Sequence, residues 1–197
     1  MTTVGPCDQS LVVSPRDEPD TRTSSGTSAS LRELFATHAP YVWNTLRRFG
    51  VPDSDLEDVT HDVFVQVQRH LADYDPALPV RPWLFGFAFR LASQRRRRAF
   101  RRHETQSGQD HEAVDPAALP DERLAAAQDR RLVLRALEAI DLERRAVFVL
   151  SQIDEAPMAE VARALGIPVN TAYSRLRAAR VEFAAAVKRL RASRGAR

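Results

Sequence analysis

Between Met158 and Arg180 the chain reads MAEVARALGIPVNTAYSRLRAAR, and the groups in it able to do chemistry are hydrogen-bond donors. Thr171, Tyr173, Ser174, Arg177 and Arg180 share one side of a helical projection, with Arg175 on the flank and Asn170 at the start. Hydroxyl, amide and guanidinium groups in such an array suit base-pair edges in a major groove. On the other side Ala172, Leu176, Ala179 and Phe183 recur at helical spacing, small enough for a second helix to cross closely. Val161, Ala162 and Leu165 supply that helix. Gly166 provides the left-handed residue that ends it, Pro168 blocks its continuation, and Asn170 is placed to cap the next. The pattern predicts a helix-turn-helix. An ordinary helical hairpin with a solvated charged face carries the same letters, so locally both readings stand.

Two further clusters matter. From Trp83 the chain runs WLFGFAF and then RLASQRRRRAFRR, with no carboxylate between Asp75 and Glu104. A helix of this kind anchors in a core and lays its far end along phosphates. Arg95 to Arg98 step ~100° per residue, so they cannot all face one surface and some are merely solvated. The aromatics Trp83, Phe85, Phe87 and Phe89 read as core before they read as base-stacking groups. Upstream, LEDVTHDVFVQV carries Asp58, His61, Asp62 and Gln66 on or near the exposed side of a helix whose buried stripe is Leu56, Val59, Val63, Phe64 and Val67. First-turn carboxylates suit the helix dipole. A metal held by His61 with Asp58 or Asp62 lacks further ligands, and a protein-docking face fits better.

The 197 residues carry a formal charge of +3, which hides an asymmetry. Residues 1–80 hold 6 basic and 12 acidic side chains; residues 81–197 hold 23 and 14. Uneven solvated surface is one reading of that split; the sharper one is an acidic face for a protein and basic faces for a polyanion. Only Lys188 among the 29 basic residues is a lysine. The single Cys7 forms no internal disulfide, no Cys/His cluster has zinc-ligand spacing, and no signal peptide or membrane-length apolar run is present. A reduced, cytoplasmic protein without a cofactor is the expectation.

The elements that must position these groups are helices. Residues 1–29, rich in Ser, Thr, Pro and Asp, read as a disordered tail, and structure is expected from the capping box at Ser30–Glu33. Leu34, Tyr41, Val42, Leu46 and Phe49 form a stripe ended by Gly50. A second capping box, Ser54–Glu57, opens the next helix. Three prolines between Asp73 and Pro82 exclude a continuous helix there. Residues 103–122 read as a polar linker between a first helical domain, 30–102, and a second, 123–192, in which Asp141 caps a helix holding Leu142, Ala146, Val149 and Leu150. The basic end after Phe183 (Lys188, Arg189, Arg191, Arg194, Arg197), with 193–197 as its tail, is expected to fray. The fold class is all-α, two small bundles.

Both motifs in this order resemble a bacterial RNA polymerase sigma factor of the sigma-70 family, in the extracytoplasmic-function (ECF) group. LEDVTHDVFVQV followed by Trp83-Leu84 resembles region two, and AEVARALGIPVNTAYSRLRAAR resembles the helix-turn-helix of region four, together covering residues ~30–190. Departures are Arg90 where the family often has Asn, Gln94 where it has Asp, His61 for Gln, and Asp141-Leu142-Glu143 for a Leu-Pro. The resemblance implies that Asp58, His61, Asp62 and Gln66 meet the clamp helices of the polymerase's largest subunit, with the flap as a further contact. It implies that Arg81, Trp83, Arg90, Gln94, Arg95, Arg97 and Arg98 take the opened −10 element. Asn170, Thr171, Tyr173, Ser174, Arg175, Arg177 and Arg180 would read the −35 element as duplex. Promoter DNA, core polymerase and an anti-sigma factor are the implied partners, and no catalytic centre is implied.

Two other functions fit parts of the same sequence. A free-standing dimeric helix-turn-helix regulator would bind its operator without polymerase. A metal-dependent recombinase or nuclease would need carboxylates or a nucleophile converging near Asp58 and Asp62, and no persuasive set exists.

Overall fold

A computed structural model describes residues 22–103 and 121–195. Among these residues there are seven α-helices and no strand. The first bundle comprises α1 (Arg22–Arg48), α2 (Leu56–Arg69) and α3 (Val80–His103). The second comprises α4 (Asp121–Glu138), α5 (Leu142–Phe148), α6 (Met158–Leu165) and α7 (Val169–Gly195).

In α2 the expected stripe Leu56, Val59, Val63, Phe64 and Val67 is buried, joined by Thr60. Against it lie Val42, Leu46 and Phe49 of α1 and its end, and Leu84, Phe85 and Ala88 of α3. Phe49 meets Phe85 edge-on with ring centroids 5.2 Å apart. Gly50, at φ +85°, ends α1 as expected. In the second bundle Ala172, Leu176 and Ala179 of α7 are buried, and Gly166 closes α6 at φ 65°. Asp141 caps α5, its carboxylate accepting from the Glu143 amide at 3.0 Å. A wide π-type turn over Val149–Ile153 then leads to α6, closed by the Asp154 amide on the Val149 carbonyl at 3.0 Å.

Several local expectations need correction. Helix α1 starts at Arg22, so the chain is already helical before Ser30. At the second box Ser54 bonds the Asp55 carboxylate instead of a backbone amide, and α2 has no side-chain cap. Helix α7 begins at Val169, with the Pro168 carbonyl accepting from the Ala172 amide; Asn170 therefore sits in the first turn, not at the cap. Fraying after Phe183 is also displaced, since α7 continues through Lys188, Arg189 and Arg191 to Gly195. The expectations for residues 1–21 and for most of the linker, 104–120, lie outside the described residues.

The two bundles pack against each other, and their buried side chains form one contiguous core. Helix α3 crosses α6, and α1 touches α4. At the α3–α6 crossing a Cβ on Gly86 would stand 2.6 Å from the Ala164 carbonyl oxygen. Two polar clusters join the bundles beside it. Asp154 accepts from the Tyr41 hydroxyl at 2.7 Å and from Arg48 at 3.2 Å. Arg145, only 5 % exposed, donates to the carbonyls of Glu138 (2.9 Å), Ile140 (3.0 and 3.3 Å) and, across the interface, Arg48 (3.4 Å). Burial, and then the Arg96 charge, push the Arg145 pKa down to about 10.

Candidate nucleic-acid and protein-docking surfaces

Three surfaces emerge from the residues singled out above. The first is a groove of about 790 Å³ along α2 and α3, lined by Gln66, His70, Trp83, Phe87, Arg90, Gln94 and Arg97 among others. Its floor is aromatic. Trp83 meets Phe87 edge-on at 5.1 Å and leans on Tyr74 at 4.6 Å, while the His70 ring lies 5.7 Å from Phe87. Helical spacing of four places Trp83 and Phe87 one above the other, which is why the run WLFGFAF exposes some ring area while Phe85 goes fully inside. Arg90 sits over the Phe87 ring, 4.4 Å from its centroid, and burial lowers its pKa. Flat rings beside guanidinium groups can stack unpaired bases while holding the strand's charge.

Not every arginine assigned to this surface joins it. Arg81 instead lies over the Tyr41 ring, 5.4 Å from its centroid, in a polar cleft shared with Arg48 and Asp154. Arg95 is ion-paired with Asp55. Arg98 is exposed and is not among the groove's lining residues.

The second surface is a cleft of about 580 Å³ between α1 and α2. Phe35, Ala39, Pro40 and Trp43 form its apolar wall, and Glu57, Asp58 and His61 its rim. Phe35 remains 43 % exposed although its ring packs edge-on against Phe64 at 4.8 Å. The Thr60 hydroxyl, buried at the same cleft, has no hydrogen-bond partner among the described residues. The four docking residues expected together are therefore divided: Asp58 and His61 line this cleft, Asp62 is exposed outside it, and Gln66 belongs to the aromatic groove. Phe35 and Trp43, in neither the sequence-based set nor the expected stripe of α1, complete the cleft; large apolar residues flanking a stripe were the signal that could have found them.

The third surface is the outer side of α7. Asn170, Tyr173, Ser174, Arg177 and Arg180 are exposed, and Tyr173 reaches 58 %. Arg175 is ion-paired with Glu143 of α5. Arg180 donates through Nε and Nη2 to the Gln152 amide oxygen, at 3.2 and 2.8 Å. The Ser174 hydroxyl donates to the Thr171 carbonyl at 2.9 Å. The face is thus braced from the second bundle at both ends, with Arg177 projecting between.

The family model described as Sigma-70 region 2 matches residues 34–104, and that described as Sigma-70, region 4 matches residues 130–183. The RNA polymerase sigma factor CnrH of Cupriavidus metallidurans is 31% identical over 170 residues, covering 82% of this chain and 88% of the relative. The ECF RNA polymerase sigma factor SigL of Mycobacterium tuberculosis is 33% identical over 150 residues, covering 76% and 84%. The chain belongs to the ECF sigma factors. Membership decides between the functions that the sequence left open. In three dimensions this sigma factor is similar to CnrH as solved in complex with the cytosolic domain of CnrY, with a TM-score of 0.58, 27% identity and coverage of 85% and 93%. It shares its fold with the sigma factor RpoE of Bartonella quintana, solved with the anti-sigma factor NepR, at a TM-score of 0.67, 16% identity and coverage of 81% and 97%.

Proposed function

We propose that this sigma factor directs promoter-specific initiation by joining core RNA polymerase and holding two promoter segments at once. The cleft of Phe35, Trp43, Asp58 and His61, extended by exposed Asp62, docks on the polymerase clamp helices. The aromatic groove of Trp83, Arg90, Gln94 and Arg97 takes the melted −10 strand, with Gln66 at its edge. Arg95 and Arg98 add phosphate attraction, which makes binding salt-dependent. The outer side of α7 enters the −35 major groove, where Arg177 is the base-edge contact and Arg175 and Arg180 are the braced flanks.

One observation supports this reading: within a chain of this family, an aromatic groove edged by guanidinium groups and a donor-rich helix face sit on separate bundles. Stacking rings beside guanidinium groups suit unpaired bases, and a donor-rich helix face suits duplex. Tethering both to one chain makes the second contact a local event. The role calls for no catalytic centre and no cofactor. A cytoplasmic location belongs to the same proposal; no described helix is long and apolar enough to cross a membrane. An anti-sigma partner is proposed by likeness to the solved complexes of CnrH and RpoE. The test is reconstitution: purified core polymerase plus this chain, assayed for initiation on genomic fragments, should give discrete promoter-specific transcripts. Failure to associate with core enzyme overturns the proposal.

A further inference from the structure

We infer that Lys188 and Arg191 extend the outer side of α7 into a second hold on duplex DNA, gripping phosphates that flank the −35 element. The inference rests on the −35 role proposed above for that side of α7.

The course of the helix comes first. Instead of fraying after Phe183, α7 runs on to Gly195, and neither Pro nor Gly interrupts it before that end, so nothing kinks it. Its second half is also packed. Ala186 is only 1 % exposed, the Phe183 ring leans on Phe148 with centroids 4.8 Å apart, and Glu182 pairs with Arg144 of α5 at 2.6 Å. A rod held in this way keeps one direction from its donor-rich half to its basic half.

Register then puts the two halves in line. Steps of three and four residues lead from Tyr173 through Arg177, Val181 and Ala184 to Lys188 and Arg191, all of them exposed. Lys188 and Arg191 therefore share the side that carries Arg177, whereas neighbouring Arg189 projects ~100° away from Lys188. The only carboxylate after Glu160 is Glu182, whose charge is taken up by Arg144, so the stripe is free of negative charge. Lys188 stands about two turns before the helix end, too far for the terminal dipole to account for a cation there.

At ~1.5 Å per residue, Lys188 and Arg191 lie ~17 and ~21 Å beyond Arg177 along the axis. The major groove is ~12 Å wide. With Arg177 at the base edges, both cations have passed the groove floor and stand over the sugar–phosphate wall. Short side chains at Val181 and Ala184 let the rod stay close between these two points. Continuity with the donor-rich face favours duplex DNA over an acidic protein as the occupant. Phosphate contacts position without reading sequence, so the pair adds affinity and register but no base preference.

The test uses the full-length chain assembled with core polymerase, and fluorescence anisotropy on two duplexes from a promoter it transcribes. One duplex ends at the edges of the −35 element; the other is extended by about ten base pairs, roughly one helical turn, on each side. Lys188→Gln/Arg191→Gln removes the pair while keeping good helix formers, and Arg189→Gln removes a charge off the stripe. Two phosphate contacts contribute ~1.8 to the salt slope, so raising salt from ~50 to ~200 mM should cost wild type ~12-fold more affinity for the extended duplex than the double variant. Arg189→Gln and Lys188→Arg should both follow wild type, and on the trimmed duplex all four proteins should converge. Preference for a matched over an altered −35 sequence should not change. Helical circular dichroism accompanies each variant; should the double variant lose that signal, Lys188→Ala/Arg191→Ala takes its place. A wild-type salt slope in the double variant, or an equal loss in Arg189→Gln, overturns the phosphate hold. So does a loss of polymerase association with duplex binding intact, which would make the stripe a protein-docking surface. Should the wild-type holoenzyme itself fail to prefer the matched −35 duplex, the proposed −35 role of α7 falls instead.

Discussion

Arg90 rests its guanidinium 4.4 Å from the centroid of the Phe87 ring, one helical turn below it on α3, and so forms the charged wall of the aromatic groove. The ring fixes the plane of the cation, and partial desolvation strengthens its attraction for a phosphate or base edge. Replacing Arg90 by Ala should weaken binding of a single-stranded −10 oligonucleotide to the holoenzyme by roughly 1–3 kcal/mol, the scale of one stacked base. Fluorescence anisotropy checks this, with duplex −35 binding expected unchanged.

Arg177 stands on the outer side of α7 between two braced arginines. Arg177→Ala should lower −35-dependent transcription by roughly 1–3 kcal/mol of base discrimination and leave polymerase association intact. Run-off transcription on promoters with matched and altered −35 sequences measures the first, and a native gel with core enzyme the second. Equal loss in both assays would sink the division of labour between the bundles.

At the α1–α2 cleft the apolar wall and its rim should both matter for docking. Phe35→Ser should reduce affinity for core polymerase by roughly 0.5–1.5 kcal/mol, the share of a large side chain's burial that its exposed part leaves to be gained on binding. Asp58→Arg should slow association most at low salt, since a rim charge acts mainly through encounter. Surface-immobilised core enzyme at two ionic strengths separates the two effects.

Burial, and then the charge of Asp154, raise the pKa of Tyr41 well above its ordinary value near 10. A raised folded-state value means that its contribution to stability is complete below pH ~10 and is lost as pH climbs beyond it. Subtracting the absorbance titration of Tyr41→Phe from that of wild type should show this phenolate forming only above the usual range, together with loss of the helical signal. A phenolate appearing near pH 10 with the fold intact would contradict the buried bond.

Removing Arg145 should be costly, because its side chain serves three buried or partly buried carbonyls. Arg145→Ala is expected to lower stability by roughly 2–3 kcal/mol in urea unfolding.

What the sequence discloses here is mostly what repeats locally. The α2 stripe, the Gly50 and Gly166 stops and the Asp141 cap were each readable, since a period or a single special φ signals them. Helix starts were less so: a Ser or Asn can cap, but the chain is already helical before Ser30, and Asn170 sits in the first turn of α7. Hardest to read were contacts between bundles. Arg145 falls among apolar residues of α5, yet its partners at Arg48 and Glu138 have no sequence signature, and Gly86 within an apolar run looks like any tolerated glycine. The split of Gln66 from Asp58 likewise depends on where α3 lies against α2, which periodicity alone does not tell.

The wide turn at Val149–Ile153 adds a coupling of its own. Within three residues it sends Gln152 to Arg180 of α7 and Asp154 to Tyr41 of the first bundle. Substitutions or length changes there should therefore be pleiotropic, disturbing the support of the outer α7 face and the join between the bundles together, so tuning of either alone must draw on other parts of the chain.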